Sequence, residues 1–334
     1  MQRLYMENRM PKSRVTIIGL GLIGASMGLA LKQSKADLEI IGHDKSMDVA
    51  GRALKRGAVD KTNWNLPGAC DGAGFVILAL PLDAIKETLA ALKLVLAPGV
   101  IVTDTAATKA PVLEWAKDLS AGAQFIGGHP VLKPNRVING YGVDAADANL
   151  FQAATYCLTP AVNATPQAID LVSSFVTMLG AKPYFMDAAE HDGLTASVQQ
   201  LPALLATVLG SITMTSPAWR ELGKVAGADL RAATDFLPTD GNAAREQFLA
   251  HRTDLLRLID SVSAKLIEMR GMVEREDAAA LEALVESINA KRDEWLAGKL
   301  GQPDTPSLPA IEGVSSSTAR LFLGGLANRI PKPK

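Results

Sequence analysis

The stretch VTIIGLGLIGASMGLALKQS, residues 15–34, decides the fold. It opens on a short β-branched run that suits a strand buried on both faces. Gly19, Gly21 and Gly24 follow in a G-x-G-x-x-G pattern, and residues 22–34 carry helical spacing. Alone the pattern is weak; directly after a strand and opening a helix it is strong. Gly19 permits the tight turn, Gly21 lets backbone approach a pyrophosphate, and Gly24 lets the helix lie close to the strand. Leu22 and Ile23 stand in the first helical turn, where free N–H groups and the positive helix end attract phosphate. The other reading, a tight turn that binds nothing, is the less favoured.

The pattern repeats outward from this point. RVTIIGL, LEIIGHD, GFVILALP, GVIVTDT and AQFIGGHP read as strands, and 22–34, 46–56, 82–96 and 109–120 between them read as helices. Such alternation predicts an α/β Rossmann domain with a mostly parallel sheet over 14–163. YCLTP at 156–160 reads as one more strand. Asp44, about 20 residues past the glycines, stands where a carboxylate accepts hydrogen bonds from the ribose hydroxyls of NAD and repels a 2′-phosphate. NAD is therefore favoured over NADP, although Lys45 beside it weakens the exclusion. Leu80 and Pro81 end one strand, and Asp104 and Thr105 end another. In an open sheet, ligands sit beyond such carboxyl ends, so both loops are expected to line the nicotinamide half. For Asp104 a capping role is equally open.

From 164 the texture changes. Thr165 and Pro166 open a helix that Gly180 closes, and KPYFMD follows as an extended piece. Long Ala/Leu-rich helices are expected over 187–215, 218–234, 241–270 and 273–298, giving an all-α domain over 164–298. Apolar faces in excess of what one chain covers predict a homodimer through it. Residues 1–13 read as a flexible arm, in which Met6 or Met10 are alternative starts, and 299–334 as an irregular tail. With a net charge of −1, the chain has no field to recruit nucleic acid. No apolar run is long enough for a membrane span, and the N-terminus lacks the apolar segment of a signal peptide. Cys70 and Cys157 give neither metal spacing nor a disulfide framework, which fits a cytoplasmic protein without a metal.

The order GLGLIGAS, GHD, LALP, TDTAATK, GGHP, LTP, EHD, QQLPALLA resembles the prephenate and arogenate dehydrogenase family over roughly residues 14–297. The resemblance implies a Rossmann domain followed by a helical dimerisation domain. It also implies NAD- or NADP-dependent oxidation with loss of carbon dioxide. From the residues alone, His129 in GGHP reads equally as a base or as a turn-filler; the resemblance makes it the residue that contacts the substrate's ring hydroxyl. An imidazole near pKa ~6.5 takes such a proton at neutral pH. His191 matches the helical His-Asp pair whose histidine faces substrate, and a solvent-facing first-turn histidine is the other reading.

The resemblance fails in the expected substrate pocket. The serine that bonds the catalytic histidine is Ala107 here, and a Ser-His-Leu-Pro-His helix reads Gln199-Gln200-Leu201-Pro202-Ala203. A tryptophan of the family is Ala244, and a carboxylate-binding Thr-Arg pair is Thr234-Asp235. Two like charges at 4 Å repel by about 4 kcal/mol at an effective dielectric of 20, so Asp235 disfavours a substrate carboxylate. Lys133, Arg136 and Arg231 are the candidate replacement cations, with Gln200 a further substrate contact. Three functions stay open: a prephenate or arogenate dehydrogenase, a related NAD-dependent dehydrogenase of another hydroxy or amino acid, and an inactive NAD-binding regulatory protein.

Overall fold

Ser13–Ile18 forms β1 and Leu22–Gln33 forms α1, with the glycine turn between them. The computed structural model describes residues 13–120 and 122–299. The expected arm and tail therefore lie outside the described residues, except that Ser13 already belongs to β1 and the Lys299 N–H bonds the Glu294 carbonyl at 2.9 Å. The described chain divides into two units. The first holds residues up to 106 and 112–187; the second holds 107–111 and the chain from 188 onward.

The first unit is an eight-stranded sheet. Its strands are β1, β2 (Leu38–His43), β3 (Lys61–Thr62), β4 (Phe75–Leu78), β5 (Ile101–Asp104), β6 (Gln124–Val131), β7 (Thr155–Pro160) and β8 (Lys182–Phe185). They lie in the order β3-β2-β1-β4-β5-β6-β7-β8. Every neighbouring pair is parallel except β6 and β7, which run antiparallel. Helices cover both faces, as continuous apolar strands require. One core joins Val15, Ile17, Ile77 and Ile126 to α1, to α2 (Met47–Lys55) and to α6 (Pro166–Met178). The other joins Ile18, Val76, Leu78 and Val102 to α4 (Leu82–Leu92) and α5 (Ala110–Ala116). Phe175 is buried on α6 with Phe75 edge-on, ring centroids 5.1 Å apart. Two short elements went unread in the sequence: β3, and α3 at Leu66–Cys70.

KPYFMD, expected as a short extended piece beyond the first domain, holds β8. It pairs with β7, and α6 packs on the same sheet, so the first unit runs on to Asp187 rather than to the expected boundary at 163. A change of texture toward helix at 164 did not mark a change of unit, because α6 is the crossover that lets β8 run parallel to β7.

The second unit is helical, and three of its four expected helices are broken. The expected helix 187–215 is α7 (Ala188–Thr195), one π turn at Ala196–Gln200 and α8 (Leu201–Thr213). Pro202 explains the interruption: it has no N–H to donate and its ring would crowd the carbonyl four residues back, so the turn before it widens. The expected helix 218–234 divides at Ala226-Gly227 into α9 (Trp219–Val225) and α10 (Ala228–Ala233). The expected helix 241–270 divides at His251 into α11 (Gly241–Ala250) and α12 (Arg252–Glu274). Ala278–Leu296 forms α13, none of whose residues is buried. No helix among the described residues is long and apolar enough to cross a membrane.

Candidate active site

The glycine turn is shaped by what surrounds each missing side chain. Gly19 holds φ +92°, and a Cβ there would lie 2.2 Å from the Ala79 carbonyl oxygen. A Cβ on Gly24 would lie 1.9 Å from the Gly19 carbonyl oxygen, so helix and turn touch backbone to backbone. A Cβ on Gly21 would meet nothing within 4 Å. Gly21 caps α1 without any side-chain hydrogen bond, and the first turn, with Leu22 and Ile23, holds no acidic residue. An uncapped helix end facing open space, with no acidic residue in its first turn, fits a diphosphate.

Asp44 follows β2 and bears on the same turn. Its Oδ2 accepts the Leu20 N–H at 2.8 Å and its Oδ1 accepts the Ser46 N–H at 2.8 Å. Each carboxylate oxygen has a second lone pair, so the residue can brace the turn and still receive two ribose hydroxyls. Leu80 and Pro81 lead from β4 into α4, with Pro81 at its N-cap. Thr105 donates to the Leu78 carbonyl at 3.4 Å. Asp104 behaves differently from the expected ligand contact. It is fully buried, and its carboxylate accepts the N–H groups of Ala106 and Gly128, each at 3.0 Å. It braces the strand ends, close to the capping role that was open to it.

His129 sits near the end of β6 and is 5% exposed. Odd-numbered residues of β6 turn their backbone groups to β7, as the Ala161 N–H on the Phe125 carbonyl shows. Even-numbered ones face β5, and β5 has ended before Pro130, so the proline's missing N–H costs no ladder bond. His129 lies directly opposite Cys157 across the antiparallel pair, with ring nitrogen and sulfur within 4.8 Å. Gly128 is required for packing: a Cβ there would lie 2.7 Å from the Asp104 carbonyl oxygen and 2.8 Å from the Tyr156 ring. Burial raises the Tyr156 phenol well above its ordinary value, helped by Asp104 and Cys157, so it stays protonated.

The second unit gathers a different set of groups. His191 and Asp192 are buried on α7, which removes the solvent-facing reading of His191. His191 Nδ1 lies 2.8 Å from Asp192 Oδ1. The same carboxylate accepts the N–H of Lys109 at 2.6 Å and of Ala110 at 2.8 Å. Burial alone would raise the Asp192 carboxyl, but the hydrogen bonds from His191, Ala110 and Lys109 hold it below the usual range. Thr108 donates to Gln247 Oε1 at 3.0 Å and lies 2.9 Å from His251 Nε2. With its one hydrogen given to Gln247, Thr108 accepts from His251, so the ring carries its proton on Nε2. Burial holds His251 below its ordinary value, with Asp192 and Asp254 only partly offsetting it.

Gln200, expected on substrate, is buried and donates to Gln247 Oε1 at 3.4 Å. Arg231 and Asp235 are exposed on and just after α10, and Lys133 is exposed on the loop after β6. Arg136 is taken by Asp147. Thr108, Gln247, His251 and the fully buried Lys109 were not picked out in the sequence. Thr108 and His251 are 143 residues apart, and no local pattern connects them.

Residues 27–185 match the profile of the prephenate dehydrogenase nucleotide-binding domain, and residues 187–288 match that of the prephenate dehydrogenase dimerization domain. The prephenate dehydrogenase of Lactococcus lactis subsp. cremoris is 31% identical over 280 residues, covering 82% of this chain and 75% of that one. The chain belongs to the prephenate dehydrogenase family. Among solved structures, Synechocystis arogenate dehydrogenase is 26% identical with a TM-score of 0.70, over 84% of this chain and 99% of that one. The prephenate dehydrogenase of A. aeolicus, solved with hydroxyphenyl propionate and NAD+, shares the fold with a TM-score of 0.76 at 23% identity, over 86% and 99%. The family's two profiles meet at 185–187, where the first unit ends.

Proposed function

We propose that the chain is an NAD-dependent dehydrogenase of prephenate or arogenate, with His129 as the base. The observation that carries this reading is His129, a buried imidazole near the end of β6, in the same sheet as an uncapped glycine turn. The glycine turn from Gly19 to Gly24 would hold the diphosphate, Asp44 the ribose, and Leu80, Pro81 and Thr105 the nicotinamide end. Asp44 favours NAD over NADP through its charge. NAD, when bound, accepts the hydride from the substrate's alcohol carbon. His129 takes the hydroxyl proton as the carbonyl forms. The electron pair left by departing carbon dioxide then moves through the ring to the carbonyl oxygen, which makes the ring aromatic as a phenolate that takes a proton back. Burial keeps the imidazole in one orientation, and orientation is where most of its contribution lies.

His191 is the substrate contact we retain in the second unit. Gln200 takes part only through the network it shares with Gln247, Thr108 and His251. Asp235 favours arogenate over prephenate, because an exposed carboxylate pairs with an amino group and repels a further carboxylate. Lys133 and Arg231 are exposed cations that would offset this for prephenate. A homodimer through the helical unit is supported by apolar side chains that this unit leaves uncovered, among them Val208, Ile212, Leu266 and Ile267. We place the enzyme in the cytoplasm, where buried Cys70 and Cys157 stay reduced.

The test is NADH absorbance with purified protein, NAD and each compound in turn. Turnover that vanishes in His129→Ala and survives in His191→Ala supports the base. NAD binding without turnover on either compound rejects the reading. Asp235→Arg is expected to improve the use of prephenate, and a fall on both compounds would make Asp235 itself the binding group.

A further inference from the structure

We propose that Asp192 is a positioning residue that fixes His191 in one tautomer and, with the same carboxylate, pins the backbone at Lys109 and Ala110. Three donors converge on it. Oδ1 accepts from His191 Nδ1 at 2.8 Å and from the Lys109 N–H at 2.6 Å; Oδ2 accepts from the Ala110 N–H at 2.8 Å. Asp192 is 7% exposed and His191 1%, so water does not compete for these bonds. An ionised carboxylate only accepts, so the proton it faces belongs on His191 Nδ1. That leaves Nε2 as the nitrogen through which the ring addresses a substrate. The backbone of His191 is held as well: its carbonyl accepts the Thr195 hydroxyl at 2.8 Å. The pinned amides belong to the segment after β5, where Ala107 stands in place of the serine that the family resemblance expects. One side chain thus sets both a histidine on α7 and the start of α5.

Asparagine has the shape of aspartate but one acceptor oxygen fewer. In Asp192→Asn the amide must point its NH2 at one of the three donors, so at least one contact becomes repulsive. Ala110→Pro isolates the other function. It removes a single N–H at the first turn of α5, where proline is tolerated, and leaves the carboxylate against His191.

This inference rests on the dehydrogenase reading for its rate measurement alone; ring tautomers test it separately. The full-length protein is labelled with ¹⁵N-histidine, and His191→Gln assigns one of its four histidines. The wild type is expected to show His191 protonated at Nδ1. Asp192→Asn is expected to mix the tautomers and to lower kcat about 10- to 100-fold, with NAD affinity unchanged. Ala110→Pro is expected to keep the tautomer and most of the rate. A wild-type His191 bearing its proton only on Nε2 overturns the proposal, and that measurement stands even if Asp192→Asn does not fold. An Ala110→Pro loss as large as that of Asp192→Asn overturns the orienting role. A wild type that turns over neither compound rejects the dehydrogenase reading and leaves the tautomer to decide on Asp192.

Discussion

The two units solve the problem of placing a reactive group in opposite ways. The first uses backbone. Gly19 and Gly24 are pressed against carbonyl oxygens, and Asp44 and Asp104 hold amides rather than other side chains. The second uses side chains that meet across long stretches of sequence, as Thr108, Gln247 and His251 do. The buried apolar residues also lie almost wholly in the first unit, whereas α13 buries none. Backbone placement leaves a local signature in sequence; placement by distant side chains does not.

His129→Ala is the harshest trial of this contrast. Turnover is expected to fall about 10²- to 10⁴-fold while NAD affinity, followed by fluorescence titration, stays put. A parallel collapse of NAD affinity would mean that the glycine turn depends on that side chain and is not self-supporting.

The contrast in burial is sharpened by a pair of truncations. Phe175→Ala, in the core of the first unit, is expected to cost about 3–5 kcal/mol in urea unfolding. Leu266→Ala, at a position 61% exposed, is expected to change monomer stability by less than about 0.5 kcal/mol and to weaken self-association measured by sedimentation. Equal costs would erase the distinction between a self-sufficient unit and one that needs a partner surface.

Asp44→Asn comes next in size. It removes one charged acceptor from the ribose, worth about tenfold or more in NAD affinity, and narrows the gap to NADP. An unchanged ratio of the two affinities would leave Asp44 with the bracing role alone.

The smallest effect is expected from His251→Asn, read as stability against pH. Burial keeps His251 below its ordinary 6.5 in the folded state, so the unfolded chain takes up its proton first. Wild-type stability therefore falls as the pH drops below 6.5, and the variant's curve is flatter between pH 7 and 5. Asp192, also held low, adds its own loss only as the pH falls below its ordinary 3.8. Identical curves for wild type and variant would show that this corner of the helical unit is open to water.

These outcomes bear on how much was legible beforehand. Gly19 and Gly24 could be read because close backbone approach admits one residue type, and that constraint is local. The strands could be read because a doubly covered sheet demands unbroken apolar runs. β8 reads as an extended piece but not as part of the sheet, because Lys182 and Pro183 are exposed at an edge and carry no such run. The direction of β7 was not legible either, since the apolar pattern of a strand is the same both ways. Asp104 stays open between ligand and cap in the sequence, because a carboxylate at a strand end looks the same whether it meets a ligand or an amide. In the helical unit the breaks at Gly227 and His251 fall within sequences whose helical spacing continues across them, so periodicity passed over them.

The π turn at Ala196–Gln200 adds a phase offset that periodicity did not announce. One surplus residue in a helix turns everything beyond it by about 100°. The rod that begins at Ala188 and ends at Thr213 therefore presents two azimuths, one before the π turn and one after it. Deleting a single residue at Val198, with Pro202→Ala to restore the N–H and relieve the ring's crowding, would remove the surplus residue and swing Leu205, Val208 and Ile212 to another compass bearing. Indels of one residue would thus be a route by which relatives re-aim the outer surface of this rod while its first turns stay where they are.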